Sequence, residues 1–174
     1  HVFLNLGVPS SESEIVADVI ATADLYGLKT HGVSRLRYYI NRIKDRLQHT
    51  STPFDIVSSK STTAVVDGGN GMGQVIAYRS MLMAIEKALT YGLGCVAVKN
   101  SSHFGICSYY SLMAAKSNMI GIVFTNTRPA VAPFGGSQPM LGTNPYSIAM
   151  PSMEYPFVID CATSVAQRGD VEVW

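Results

Sequence analysis

Apolar residues recur with a helical period in the first fifty positions of the chain. Every third or fourth residue from 12 to 26 is apolar, which predicts an amphipathic helix. Ser11 and Glu14 have the spacing of a capping box at its start, and Gly27 is a typical stop at its end. A second stripe from about Ser34 predicts another helix. The two stripes consist of Ile15, Val16, Val19, Ile20 and Ala23, and of Leu36, Tyr39, Ile40, Ile43 and Leu47.

From Pro53 onward, short apolar runs alternate with helical segments. The runs at 54–57 and 63–67 predict two strands of a hairpin, and a long helix is expected at 74–91, ending at Gly92. The further predictions are a buried strand at 94–98, a helix at 107–117 with Tyr109, Leu112 and Met113 inward, and strands at 119–125, 146–150 and 157–160. This order favours an α/β protein.

We therefore expect two segments, a helical N-terminal one at 1–52 and an α/β domain at 53–174. The 174 residues are 47% hydrophobic and 14% charged, enough for a sizeable core. A net charge of +1 without a basic run argues against a nucleic-acid partner, and no apolar stretch has the length of a membrane span. The chain starts without Met and stops at Trp174 without a cap, so we expect it to be a piece of a longer protein.

Three cysteines, Cys95, Cys107 and Cys161, are odd in number and widely spaced. This pattern predicts reduced thiols in a cytoplasmic protein and no disulfide framework. His103 and Cys107 resemble half of a zinc site, but no second pair completes it, so we predict no metal. The same two residues are a weak candidate for a thiol dyad, because such pairs are assembled in space and not by sequence spacing.

A glycine cluster at 68–73 lies between a predicted strand and a predicted helix, which is the context of a dinucleotide-binding loop. Gly69 and Gly71 fit the fingerprint, but Gln74 stands at its third position. No acidic residue follows at the required distance. The cluster is therefore interpreted as a structural turn, in preference to a Rossmann phosphate loop.

Two histidine segments carry the candidate chemistry. His31 and Arg35 lie at the joint between the two N-terminal helices, where a helix N-terminus and a guanidinium both suit a carboxylate. His103 lies in the loop after a strand, where ligands gather in α/β sheets, and an imidazole there suits proton transfer. The alternative is a capped helix joint and an ordinary loop histidine. Together the segments indicate chemistry on a small carboxylic acid.

Polar loops follow three other predicted strands, at 125–129, 142–145 and 160–164. Their hydroxyl and amide groups suit a polar ligand, although ordinary turn chemistry explains the same residues.

Five segments in this order resemble the malate/L-lactate dehydrogenase family, which is distinct from the Rossmann-type enzymes and includes sulfolactate and ureidoglycolate dehydrogenases. They are Thr-His-Gly-Val-Ser-Arg-Leu at 30–36, Ser-Ser-His-Phe-Gly at 101–105, Pro-Phe-Gly-Gly at 133–136, Gly-Thr-Asn-Pro at 142–145 and Asp-Cys-Ala-Thr-Ser at 160–164. The resemblance implies a mixed α/β sheet domain and an NAD- or NADP-dependent dehydrogenase, cytoplasmic and homodimeric, that acts on a 2-hydroxy or 2-keto acid such as malate or lactate.

The resemblance also implies a role for each matching residue. His103 corresponds to the acid/base histidine, and Arg35 to the partner of the substrate carboxylate. The other residues implied at the substrate are Thr30, His31, Thr143 and Asn144, and those at the cofactor are Thr127, Asp160, Cys161 and Ala162.

The chain also departs from the family. The second half of the family sequence, which includes a cofactor-binding lysine and a glycine-rich stretch, is not present. Arg168 and Gly169 continue the family pattern, but Asp170 stands where a lysine is common. Two alternatives to a dehydrogenase are a catalytically inactive binding or dimerising module and a carboxylate-binding domain without redox activity.

Overall fold

The structure, a computed structural model, describes residues 1–165 of the chain. They form two compact units, His1–Ile106 and a second that begins at Cys107. The predicted division at residue 52 stays a prediction, and the sequence features at Arg168, Gly169 and Asp170 lie outside the described residues. Across residues 1–165, no helix is both long and apolar enough to cross a membrane.

The N-terminal part of the first unit is helical, as predicted. Its elements are α1 (Val2–Asn5), α2 (Ser10–Leu25), a 3-10 turn (Val33–Arg35) and α3 (Leu36–Lys44). The predicted capping box of Ser11 and Glu14 is wrong, because α2 begins two residues earlier than predicted, directly after Pro9, and has no side-chain cap. The predicted stop at Gly27 is confirmed, since its φ of +76° is left-handed and cannot continue a helix.

A three-stranded sheet with a crossover helix completes the first unit. Its elements are β1 (Asp55–Ser59), β2 (Thr63–Asp67), α4 (Gly73–Tyr91) and β3 (Cys95–Lys99). β1 and β2 form the predicted antiparallel hairpin, and β2 and β3 run parallel on either side of α4 in the sequence. The expected burial of the strand after Gly94 is wrong: β3 is an edge strand in which only Val96 is half-buried.

The core of the first unit joins the helices to the start of α4. Tyr39 from α3 and Val75 from α4 are fully buried in one cluster. The other buried members are Phe3, Val8, Val16, Ile20 and Met72. This packing holds α3 against the N-terminal end of α4, which matters for the site described below.

An ion pair between the buried Glu12 and the partly exposed Arg79 also stabilises this unit. Glu12 on α2, only 4% exposed, accepts a hydrogen bond from Arg79 on α4 at 3.0 Å. Its other carboxylate oxygen accepts from the backbone N–H of Thr52 at 3.1 Å, and Arg79 donates to the Thr52 carbonyl at 3.2 Å. Each buried polar group of the pair therefore has a partner, as a low-dielectric site requires.

The second unit is a helix packed on an antiparallel sheet. It contains α5 (Cys107–Lys116), β4 (Gly121–Phe124), β5 (Tyr146–Met150) and β6 (Phe157–Cys161), with strand order β4-β5-β6. The predicted inward face of α5 is partly wrong: Leu112 is buried, but Tyr110 is buried in place of Tyr109, and Met113 is half-buried. With sheet strands in both units and helices around them, the α/β prediction is confirmed.

Candidate functional site

The first histidine segment forms a tight loop between α2 and α3. The Thr30 hydroxyl lies 2.9 Å from Nδ1 of His31, and Nε of Arg35 donates to the Thr30 carbonyl at 2.7 Å. Asp24 accepts from the backbone N–H of Val33 at 2.9 Å, which ties the loop to the end of α2. Thr30, His31 and Arg35 are close in the sequence, and in the structure hydrogen bonds link them.

The second histidine segment is held by hydrogen bonds from two sides. The Ser102 hydroxyl accepts from the backbone N–H of Gly73 at 3.0 Å and donates to the Gly71 carbonyl at 2.9 Å. Asp67, at the end of β2, accepts from the Asn100 side chain at 2.9 Å. The N–H of Gly69, then Asn100 and Lys99, lower the pKa of Asp67 to about 2. The loop before His103 is therefore fixed to the turn that precedes α4.

The glycine turn at 68–73 is packed against the protein's own backbone. A Cβ atom at Gly73 would lie 2.6 Å from the His103 carbonyl oxygen, and one at Gly71 would lie 2.8 Å from Cα of Thr52. Protein atoms occupy the space beside these two glycines, and their backbone N–H groups donate to the Gly68 carbonyl and to the Ser102 hydroxyl, not to a phosphate. This confirms the interpretation as a structural turn.

His103 lies among aromatic rings from two other segments, the loop before α3 and α3 itself. Its ring stacks on that of His31, with centroids 5.5 Å apart and planes inclined by 25°. The hydroxyl of Tyr39 lies 2.7 Å from Nδ1 of His103, and the backbone N–H of Gly105 donates to the same nitrogen at 3.3 Å. Tyr38 contacts the His103 ring edge-on at 5.9 Å. The two predicted histidines therefore share one cluster.

The electrostatics of this cluster favour a neutral His103. Burial lowers the pKa of His103 to about 3, and the positive charges of His31, Arg35 and Arg42 act in the same direction. Burial likewise raises the pKa of Tyr39 above its ordinary value, so its phenol stays protonated. The arrangement combines a neutral imidazole, able to accept a proton, with guanidinium groups suited to an anion.

Sequence reasoning missed three members of this cluster. Tyr39 is predicted only as a core residue, and no role is predicted for Tyr38 or Arg42. Together with Arg35, these residues stand at i, i+3, i+4 and i+7, the spacing of one helix face. The signal in the sequence is a set of charged and aromatic residues at that spacing directly after the Thr-His-Gly segment.

In the second unit, three polar loops that were predicted separately come together. The backbone N–H of Thr127 donates to the side chain of Asn144 at 2.9 Å, and the Thr127 hydroxyl accepts from the N–H of Thr143 at 2.8 Å. Thr163, after β6, donates through its hydroxyl to the Thr143 carbonyl at 3.0 Å. The loops after β4 and β6 are thus joined through the segment that precedes β5.

An open cleft of about 540 Å³ borders this network. Its lining combines two aromatic rings, hydroxyl groups and side-chain amides. The lining residues are Phe124, Thr125, Asn126, Asn144, Pro145, Tyr146 and Thr163. Such a surface offers hydrogen bonds and a stacking face to a polar, planar ligand.

The predicted cofactor residues at the end of β6 have structural partners of their own. Asp160 accepts from the backbone N–H of Ser108 at 2.6 Å, which caps the first turn of α5. Burial, and secondarily Asp160, raise the pKa of Cys107 to about 12, so a thiolate dyad with His103 has no support. Cys161 and Ala162 are half-buried. Across residues 1–165, no group of three or more His, Cys, Asp or Glu is arranged to hold a metal ion.

Comparison with known proteins assigns the chain to a family. The family model described as malate/L-lactate dehydrogenase matches residues 1–174. The chain belongs to the malate/L-lactate dehydrogenase family. This confirms the resemblance inferred from the five segments.

Individual relatives agree with this family assignment. Malate dehydrogenase from Pyrococcus horikoshii is 46% identical over 174 residues, which is 100% of this chain and 48% of the relative. L-sulfolactate dehydrogenase from Methanocaldococcus jannaschii is 44% identical over 170 residues, or 98% of this chain and 49% of the relative. The solved structure of malate dehydrogenase from Pyrococcus horikoshii OT3 superposes with a TM-score of 0.96, covering 98% of this chain and 49% of that one. The family fold is confirmed, and the chain spans about half the length of the relatives it matches.

Proposed function

We propose that the protein is an NAD- or NADP-dependent dehydrogenase that interconverts a small 2-hydroxy acid and its 2-keto acid, with malate or lactate as the expected substrates. One observation carries the proposal: a neutral, partly buried His103 stacks on His31, close enough to Arg35 and Arg42 for both guanidinium groups to act on its pKa. A proton acceptor beside cationic groups fits a substrate that bears both a hydroxyl and a carboxylate.

In this proposal His103 moves the proton. In the oxidation direction its imidazole takes the proton of the substrate hydroxyl, and in the reduction direction the imidazolium returns a proton to the carbonyl oxygen. Arg35 pairs with the carboxylate, while Thr30 and His31 shape the same pocket. One hydrogen bond supports the role of Arg35. The Thr30 carbonyl accepts it from Nε of Arg35, and it sets the direction of the Arg35 side chain.

We propose that Thr143 and Asn144 contribute to the substrate site, and that Thr127, Asp160, Cys161 and Ala162 contribute to binding of the nicotinamide cofactor. Asn144 lines the hydroxyl- and amide-bearing cleft of the second unit, and the backbone N–H of Thr127 is hydrogen-bonded to the Asn144 side chain. This supports a polar ligand there, because ribose hydroxyls and a carboxamide need such partners. When bound, the cofactor supplies or accepts the hydride, which no side chain can do. The backbone and side-chain bonds among Thr127, Thr143 and Asn144 would hold these groups in place.

We further propose a cytoplasmic homodimer. Three free cysteines, one of them exposed, support a reducing compartment. The alternative function is a catalytically inactive binding or dimerising module, and the first experiment separates it from the enzyme.

The longest natural form of the protein should oxidise NADH or NADPH in the presence of oxaloacetate, pyruvate or a related 2-keto acid. Absorbance of the reduced cofactor measures turnover, and titration of its fluorescence measures binding. Turnover identifies both substrate and cofactor. A folded dimer that shows no turnover with any acid in the panel supports the inactive module and refutes the proposed activity.

Two substitutions then test the assigned roles. His103→Gln should lower kcat by about 10²- to 10⁴-fold, the usual contribution of a positioned acid/base group. Arg35→Lys should raise KM for the acid about tenfold, because a point charge does not replace a bidentate fork. Arg37→Lys is the matched control, since Arg37 lies exposed on α3. An unchanged kcat for the first variant, or an unchanged KM for the second, contradicts the corresponding role.

A further inference from the structure

Arg42 on α3 carries a positive charge that no carboxylate of the described chain balances. Its Nη2 donates to the Leu47 carbonyl at 3.3 Å, whereas its Nε is buried and has no hydrogen-bond partner. Among residues 1–165, no carboxylate forms an ion pair with this guanidinium. A half-buried cation in this state costs free energy, because it has lost water without gaining an anion. The guanidinium is therefore suited to an anion that does not belong to residues 1–165.

The ring of Tyr38 holds this guanidinium beside the histidine cluster. Cζ of Arg42 lies over the Tyr38 ring, 5.6 Å from its centroid. The Tyr38 ring in turn meets the His103 ring edge-on, with centroids 5.9 Å apart. A cation–π contact engages the charge of a guanidinium but uses none of its N–H donors. The Nε donor of Arg42 thus stays available to a ligand that binds at His103.

His103 contacts the middle of a helix face that has an arginine at each end. Tyr38 and Tyr39 both contact the His103 ring, and in the sequence they stand between Arg35 and Arg42. Arg35 directly precedes α3 with helical backbone angles. Two helical turns therefore separate the two arginines, which places them on one face with their Cα atoms about 10 Å apart. A small ligand at His103 is flanked by one guanidinium toward each end of this face.

We propose that Arg42 binds a second anionic group of the substrate and so selects 2-hydroxy and 2-keto acids that carry one. The inference rests on the proposed function, in which Arg35 pairs with the first carboxylate and His103 moves the proton. It decides between the two expected substrates. Malate has a second carboxylate for Arg42, whereas lactate has a methyl group at the same carbon and would leave the buried N–H unpaired.

A phosphate of the cofactor is the other anion that suits a guanidinium. The position of Arg42 favours the acid, because the Tyr38 ring that holds it contacts the imidazole of His103, the proposed acceptor of the substrate proton. The two anions give different kinetic results. Loss of a contact to the acid changes the preference among acids, and loss of a contact to the phosphate raises the KM for the cofactor.

The test uses oxaloacetate and pyruvate, which differ only in the second carboxylate, and the longest natural form of the protein. Arg42→Gln should lower the ratio of kcat/KM for oxaloacetate to kcat/KM for pyruvate about 10- to 100-fold, as expected for charge-assisted hydrogen bonds. Arg42→Lys should lower it about threefold to tenfold, because an ammonium keeps the charge but not the fork. Arg37→Gln, at an exposed arginine of α3, is the matched control and should leave the ratio unchanged.

The ratio separates selection of the acid from a structural role of Arg42. Loss of the hydrogen bond to the Leu47 carbonyl, beyond the end of α3, would change the rates with both acids alike. A change in the basicity of His103 also cancels in the ratio, because both acids exchange the same kind of proton. Thermal unfolding checks that each variant folds, and Arg42→Lys carries the test if Arg42→Gln does not fold.

Calorimetric titration without cofactor supplies a readout that needs no turnover. The unmodified protein should bind malate more tightly than lactate, and Arg42→Gln should lose most of that difference. If no acid is turned over but this preference is present and depends on Arg42, the anion site stands and the proposed dehydrogenase activity fails. If no acid is turned over and malate binds no better than lactate, both proposals fail.

For an active enzyme the kinetic ratio decides. A ratio that is the same in Arg42→Gln and the unmodified protein overturns the inference, and so does an unmodified protein that prefers pyruvate to oxaloacetate. A variant in which only the KM for NADH or NADPH rises also overturns it, since Arg42 then binds a cofactor phosphate.

Discussion

Protonation of His103 should couple the stability of the first unit to pH. Burial lowers the pKa of His103 to about 3 in the folded state, against 6.5 for an ordinary histidine. At pH values between these two pKa values, the imidazole of His103 binds a proton in the unfolded chain but not in the folded chain. The contribution of the neutral imidazole to the free energy of unfolding is therefore complete above about pH 6.5. It is lost as the pH falls from there toward about 3.

The size of the effect follows from the window. Each pH unit inside it removes about 1.4 kcal/mol, so a fall from about pH 7.5 to about pH 5 removes about 2 kcal/mol through this residue. His103 keeps some exposed surface, and the expected loss is therefore about 1–2 kcal/mol. His103→Gln removes the titrating group and should lack this part of the pH dependence.

Urea denaturation of the unmodified protein and of His103→Gln at the two pH values measures the difference. The free energy of unfolding should fall by about 1–2 kcal/mol more in the unmodified protein than in the variant. His49→Gln, at an exposed histidine of the same unit, is the matched control substitution. Equal pH dependence in the unmodified protein and His103→Gln would refute the argument that burial keeps this imidazole neutral.

Two further predictions concern other buried groups. Glu12→Gln should lower the free energy of unfolding by about 2–3 kcal/mol in urea, because Arg79 loses its buried counter-charge, whereas the exposed control Glu14→Gln should change it by less than about 0.5 kcal/mol. In the folded protein a thiol alkylating reagent should modify the exposed Cys95 and leave Cys107 intact by mass spectrometry, since burial raises the pKa of Cys107 to about 12. Loss of stability equal to that of the control, or alkylation of Cys107 at the rate of Cys95, would contradict these two predictions.

Local pattern was sufficient for most of the secondary structure. The apolar stripe that includes Val16 and Ile20 predicted α2, and Gly27 and Gly92 were correct as helix stops because only a left-handed residue fits there. Periodicity shows which residues share one face of an element. It does not show whether that face is buried when burial depends on neighbours distant in sequence, and the errors arose at such positions. β3 looks like a buried strand by composition but lies at a sheet edge.

The sequence by itself determined the family and the two histidine segments. Only the tertiary structure decided that Tyr39 contacts His103, 64 residues later, and that the His31 and His103 rings stack. The reason is physical: helical and strand periods are set by steric and hydrogen-bonding forces within a few residues. A contact between α3, α4 and the loop after β3 depends instead on how whole elements pack, and Tyr39 carries the same apolar signal whether it fills a core or holds an imidazole.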